Sequence, residues 1–260
     1  MPSPRPKTSR TAELAATYGR RIASGALRSG DALPIESELA SEWGVSRTVV
    51  REAMRLLGAK GLIKVGPKVG TRVLPAQDWN MLDPDVMAWH LFAEDRWGFV
   101  SALYEMRLIN EPPAARIAAQ RITQADRERL REAFERMERY PRGSSELIAA
   151  DLDFHRIILE ATGNPILRSL GAMIEKSLSI SFSLSWRQNP QVETLRQHQR
   201  VLDAILGGDA EAAELFMRRL IESAFEDVSQ ALEGEGGRAS EARRRVGDPA
   251  PSNVDNALAG

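Results

Sequence analysis

ESELASEWGVSRTVVREAMRLLGAKGLI, residues 36–63, spells two short helices joined by a tight turn and running into a strand. Leu39 and Ala40 fall inside the first helix, Gly44 sits at the turn and Val45 follows it. Val50, Ala53 and Leu57 recur at the spacing of one buried helix face. A small residue at 40 lets the helices cross closely, and glycine at 44 accepts a positive φ that a side chain opposes. Ser46 is placed to cap the second helix, its hydroxyl accepting from a free N–H of the first turn. Arg47, Thr48 and Arg51 then share an exposed face at that helix's start. In a helix-turn-helix this part enters the major groove, where Arg pairs bidentately with guanine and Ser or Thr reach base edges or phosphates. A structural hairpin with a solvated basic face is the competing reading. The turn glycine, the small crossing residue and the polar helix start together favour the DNA reader.

Upstream, Leu14, Tyr18 and Ile22 predict a helix over Thr11–Ser24, with Gly25 as its stop and GALRSGDALP as the connector. Downstream, Leu62–Val65 and Thr71–Leu74 read as two strands around GPKVG, a wing whose amides and Lys68 can lie against the sugar-phosphate backbone. These elements predict a winged helix-turn-helix domain over residues 10–76. Residues 1–9, rich in Pro, Ser and basic side chains, read as a flexible tail.

From Pro75 onward the pattern changes. Residues 77–96 read as a linker that becomes a helix, and residues 97–232 as helices only. Their apolar residues recur every three or four positions over Phe99–Ala119, Ala125–Arg139, Ser145–Ala161, Pro165–Trp186, Pro190–Leu206 and Ala210–Leu232. The fold class expected is therefore mainly α: the winged domain followed by an all-α bundle. Residues 233–260, rich in Gly, Arg, Ser and Pro, read as a disordered tail.

Charge is divided unequally between the two parts. Residues 1–76 carry thirteen Lys and Arg against six Asp and Glu, whereas the remainder carries 22 against 30. A basic module that meets phosphates and an acidic module that does not would produce this asymmetry, as would chance segregation of solvated charges. The chain has no cysteine, which excludes disulfides and thiolate chemistry. No run of eighteen apolar residues and no secretory leader can be read in it, so a cytoplasmic location is expected.

The run LP-x-E-x-ELA-x(3)-GVSRT-x-VREA-x(2)-L-x(3)-GLI resembles the DNA-binding domain of the GntR family of bacterial transcription regulators. The resemblance implies that Arg47, Thr48 and Arg51 and the wing residues Lys68, Gly70 and Thr71 meet operator DNA; Ser46, at the same helix start, joins them as a DNA-contacting candidate by its place. Two positions depart from the family pattern. Ile35 stands where a capping Ser is common, a loss of about 0.5–2 kcal/mol, and Ser37 stands where a DNA-contacting Arg is common.

In the helical part, Asp151 and His155 lie four apart on one helix face, and His198 on a later helix can reach the same point. By spacing alone this is either a surface pair or part of a metal site. EMRLINEPPAARIAA, DLDFH, GNPIL and HQRVLDAILGGDAEAA resemble, in that order, the FCD domain of the family's FadR-type branch. That resemblance implies an effector-binding and dimerisation domain holding a divalent metal, zinc or similar, through an Asp and three His, with a small carboxylate completing the coordination. Asp151, His155 and His198 match three ligands; the fourth position is Leu220. Two outcomes stay open: a metal site finished by water or effector, or a metal-free pocket in which the same residues hydrogen-bond the ligand.

Arg107 matches a common Arg of this domain and suits a carboxylate, or else pairs with Glu111 within its own helix. Ser177, Ser181 and Ser185 form a stripe that fits either a polyhydroxy ligand or close helix packing. DWNMLDPDVMAWHL, through Trp79, Asn80, Leu82, Asp83, Asp85 and Trp89, is similar to D-galactonate-responsive repressors of this branch. The function expected is a homodimeric repressor of sugar-acid catabolism, such as that of an aldonate, modulated by a small carboxylate and with no enzymatic activity. The alternative is a metal-dependent enzyme in the helical part, tethered to a nucleic-acid-binding module.

Overall fold

The computed structural model describes residues 9–66, 70–90, 93, 96–171 and 191–245. Lys68 and the Ser177, Ser181 and Ser185 stripe lie outside them.

The first helix, α1 (Arg10–Ala23), is capped by Ser9, whose side chain accepts from Ala12 N, and starts one residue before the predicted Thr11. α2 (Glu36–Trp43) ends at Gly44, which adopts φ 61°, ψ 38°, the left-handed turn the sequence asks of it. α3 (Arg47–Ala59) begins at Ser46, whose hydroxyl accepts from Val49 N at 3.4 Å. Ile35 has no acceptor for the N-terminus of α2, but half of a capping box survives: Glu38 Oε2 accepts from Ile35 N at 3.2 Å.

Strands β1 (Ile63–Gly66) and β2 (Gly70–Val73) pair antiparallel from Ile63↔Val73 to Gly66↔Gly70, shifted by one residue from the predicted limits. The connector before α2 joins this hairpin through the bridge Ala32↔Arg72 and the bonds Leu33 N→Thr71 O and Val73 N→Asp31 O. Leu14, Tyr18 and Ile22 of α1 pack with Leu39 and with Val50, Ala53 and Leu57 beneath the hairpin residues Ile63 and Val73. Burial of each large side chain in this core contributes about 1.5–3 kcal/mol.

The second body is helical. α4 (Pro84–His90) is followed by α5 (Arg96–Arg121), α6 (Gln124–Arg139), α7 (Ser145–Ala161), α8 (Gln191–Gly207) and α9 (Ala210–Arg245). A helical stretch over 165–171 lies within the predicted Pro165–Trp186 helix, and the rest of that prediction falls outside the described residues. α5 is the central element, packing against α7, α8 and α9. α9 continues to Arg245, past Leu232 where the sequence reading ended it. Ala, Glu and Arg, all helix formers, carry it beyond the glycines at 234, 236 and 237. No described helix is long and apolar enough to cross a membrane.

The segment read as a linker is packed rather than free. Val86 and Trp89 of α4 belong to the N-terminal core, while Met87 belongs to the bundle core. A Cβ at Gly19 of α1 would meet the Trp89 ring at 2.4 Å, so only glycine admits this contact. His90 continues the connection, its ring stacked 4.8 Å from Phe99 of α5 and 5.3 Å from Trp79.

Candidate functional site

The bundle interior holds six polar or charged side chains among its described residues: Arg107, Glu111, Asp151, His155, Thr162 and His198. Five of them are joined to one another. Burying so many ionisable groups is costly unless each finds a partner, so their arrangement reports a site.

α5 carries Arg107 and Glu111 one helical turn apart. Arg107 Nε donates to Glu111 Oε1 at 2.6 Å, so the intrahelical pair read from the spacing forms. It leaves Arg107 Nη1 buried without a hydrogen-bond partner, a cationic donor still open. α7 carries Asp151 and His155, also one turn apart, and α8 brings His198. His198 Nε2 lies 2.8 Å from Asp151 Oδ1, and His155 Nε2 lies 3.6 Å from the same oxygen. Glu111 had no site role in the sequence reading, yet its Oε2 lies 2.6 Å from His155 Nδ1. The only signal for it in the sequence is its place four residues after Arg107.

Electrostatics follows from this geometry. Burial alone would raise the Glu111 carboxyl, but the Arg107 guanidinium and His155 outweigh it and bring it down to about 2. Asp151 is pushed the same way: burial raises it, and His198, His155 and Arg107 lower it further. Both carboxylates are therefore ionised, against one guanidinium.

Asp151, His155 and His198 each offer one ligand atom, all within 4.8 Å of one another and all buried. Two imidazole nitrogens and one carboxylate oxygen suit zinc or a similar borderline divalent ion. The outer contacts suit it as well. His198 Nδ1 lies 2.8 Å from Thr194 O and His155 Nδ1 faces Glu111, so both rings can hold a proton on Nδ1 and turn Nε2 inward. The residues present therefore fit a divalent metal. Leu220, at the expected fourth position, is buried in the apolar core.

At the other end of the molecule, Ser46, Arg47, Thr48 and Arg51 are exposed together at the start of α3, as expected. Arg51 is engaged there, its Nε 2.7 Å from Glu36 Oε2 of α2. On the hairpin, Gly70 is exposed with φ 77° and Thr71 is half-buried.

Residues 11–73 match the family described as bacterial regulatory proteins, gntR family, and residues 102–223 match the FCD domain. The galactonate operon transcriptional repressor of Escherichia coli (strain K12) is 33% identical over 207 residues, 79% of this chain and 90% of that protein. The Uxu operon transcriptional regulator of Escherichia coli (strain K12) is 32% identical over 214 residues, 75% of this chain and 77% of that one. Among solved structures, that of Lar, described as controlling expression of the Listeria monocytogenes agr system, aligns with a TM-score of 0.63 at 19% identity. It covers 87% of this chain and 99% of that one, a likeness of fold alone.

Proposed function

This chain belongs to the gntR family of bacterial regulatory proteins and carries an FCD domain, and from that premise we propose that it represses genes of sugar-acid catabolism and answers to a small carboxylate bound in the bundle. That it is a DNA-binding transcriptional regulator follows from the family, whose named relatives are regulators, and the enzyme reading is set aside on that ground. The single observation that supports the effector reading is Arg107 Nη1, a buried cationic donor without a partner beside a buried cluster of two carboxylates and two imidazoles. Similarity to a galactonate operon repressor supports an aldonate as the ligand class.

Charge balance argues for metal and acid together. With both imidazoles neutral, as metal ligation requires, two carboxylates and one guanidinium sum to one negative charge. A divalent ion held by Asp151, His155 and His198, with one carboxylate ligand at Arg107, brings the sum to zero. When bound, the ion supplies a Lewis-acidic point for the ligand's oxygens; Arg107 reads the carboxylate by hydrogen bonds.

At the operator, Arg47 and Arg51 read base edges, while Ser46, Thr48, Gly70, Thr71 and Lys68 serve base edges or the backbone. Two copies in the cytoplasm bind as a homodimer on half-sites related by a two-fold axis. The ligand acts by binding the operator-competent and operator-incompetent domain arrangements with different affinity; equal affinity would shift nothing.

A gel shift on the chain's own upstream region tests this. Arg47→Ala with Arg51→Ala abolishes the specific shift, and an aldonate such as D-galactonate releases the unmodified protein from DNA. Full operator affinity in the double variant overturns the recognition helix; no release by any aldonate overturns the effector class.

A further inference from the structure

We propose that Glu111 is the shared positioning residue of the bundle site: one carboxylate that aims Arg107 at an acid ligand and holds His155 in the tautomer that ligates a metal. The inference rests on the reading of the site as a metal and carboxylate pocket.

A carboxylate has two acceptor oxygens, and Glu111 divides them. Oε1 accepts from Arg107 Nε at 2.6 Å, and Oε2 faces His155 Nδ1 at 2.6 Å, with Arg107 Nη2 more distant at 3.5 Å. Holding the guanidinium by its Nε edge leaves Nη1 uncommitted, and this is the edge offered to a ligand. A proton on His155 Nδ1, on the side of the ring that meets Oε2, leaves the lone pair on Nε2, the atom 3.6 Å from Asp151 Oδ1. Had Glu111 only to neutralise a buried Arg, His155 would not need to meet its second oxygen. The two halves of the pocket, one for an acid and one for a cation, therefore share a single support.

His198 supplies an internal control. Its Nδ1 lies 2.8 Å from the Thr194 carbonyl oxygen and owes nothing to Glu111. The chain has three histidines, so the ring nitrogens can be assigned one by one.

Glu111→Gln discriminates the roles because an amide keeps the shape but has one acceptor oxygen and one donor NH2. Arg107 is a donor only and takes the oxygen. The NH2 then faces His155 Nδ1, which must accept, so the ring proton moves to Nε2 and points at Asp151. Nitrogen-15 spectra of histidine-labelled, EDTA-treated full chain read this directly. The expected result is a proton on His155 Nδ1 in the unmodified protein and its loss from that nitrogen in the variant, with the His198 ring unchanged between the two. Calorimetry with Zn2+ should then show an affinity about 10–100-fold weaker in Glu111→Gln, as for other outer-shell partners of metal ligands.

Three results overturn the proposal: an unprotonated His155 Nδ1 in the unmodified metal-free protein, an unmoved His155 Nδ1 proton in the variant, or Zn2+ affinity equal in both. The first needs no variant and stands even where Glu111→Gln fails to fold. If the unmodified protein binds no Zn2+, the pocket reading fails and carries this inference with it; Zn2+ bound equally by both proteins overturns the inference alone.

Discussion

Lys60, the residue that closes α3, places its ammonium 2.7 Å from both carboxylate oxygens of Asp83 at the start of α4. Asp85 adds a second carboxylate at 2.9 Å. Burial disfavours the Lys60 charge, but these two acids outweigh it and raise its pKa above the usual range. A raised Lys pKa means stability present below the unfolded value and lost only as the pH climbs through the folded one, so the contact is intact at neutral pH.

Asp83 also caps α4, its Oδ1 accepting from Asp85 N and Val86 N. The two roles can be separated, because Asn caps a helix nearly as well as Asp while Ala does not. Asp83→Asn should lose only the ion pair, a charge-assisted contact costing about 1.5–3 kcal/mol at most when removed from a half-buried position. Asp83→Ala should lose a further ~1 kcal/mol for the cap. Urea unfolding of the two variants checks this, and equal loss in both would deny the cap.

Gly19→Ala should drive the Trp89 ring from its seat, because the new Cβ falls 2.4 Å from ring carbons of a buried side chain. Overpacking of this kind costs about 1–3 kcal/mol. Trp89→Leu on the same background should recover part of the loss by making room. A thermal-melting cycle over the four proteins measures the coupling; additive losses would mean that α1 and α4 do not press on one another.

The features legible in the sequence are those set by neighbours along the chain. Gly44 needs a left-handed turn, Ser46 caps at its own helix start, and Asp151 with His155 shares a face by helical spacing alone. The residues without a local signal are joined across the fold. Glu111 meets His155 from another helix, Lys60 meets Asp83 through a turn, and Gly19 meets Trp89 between helices far apart in sequence. No local pattern distinguishes a glutamate that answers one arginine from a glutamate that also answers a histidine. Pro112 and Pro113 would ordinarily argue for a break, yet α5 runs through them because tertiary packing on three neighbouring helices outweighs the missing donors.

Acid should unfold the bundle through its buried carboxylates. Glu111, at about 2 against a usual 4.5, holds its proton more weakly in the folded than in the unfolded chain. Its contribution is thus complete above the unfolded value and drains as pH falls toward the folded one, a span worth on the order of 3 kcal/mol. Asp151 titrates in the same direction. In urea unfolding, the stability gap between the unmodified protein and Glu111→Gln should widen from about pH 2 to pH 4.5 and stay constant above it. A gap independent of pH would place the Glu111 carboxyl at its ordinary value.

Leu220→His tests where the missing ligand belongs. Leu220 is 3% exposed and packs in the bundle core on α9, so the substitution gives up apolar burial and inserts a polar ring. Without metal that ring has no partner set aside for it, and the variant should melt below the unmodified protein, by about 1–3 kcal/mol for an unsatisfied buried group. With Zn2+ the order should reverse if position 220 faces Asp151, His155 and His198, because a fourth protein ligand binds the folded chain and stabilises it by mass action. Melting curves with Zn2+ and with EDTA decide it: a variant that stays destabilised in both conditions would show that residue 220 faces the core and not the site.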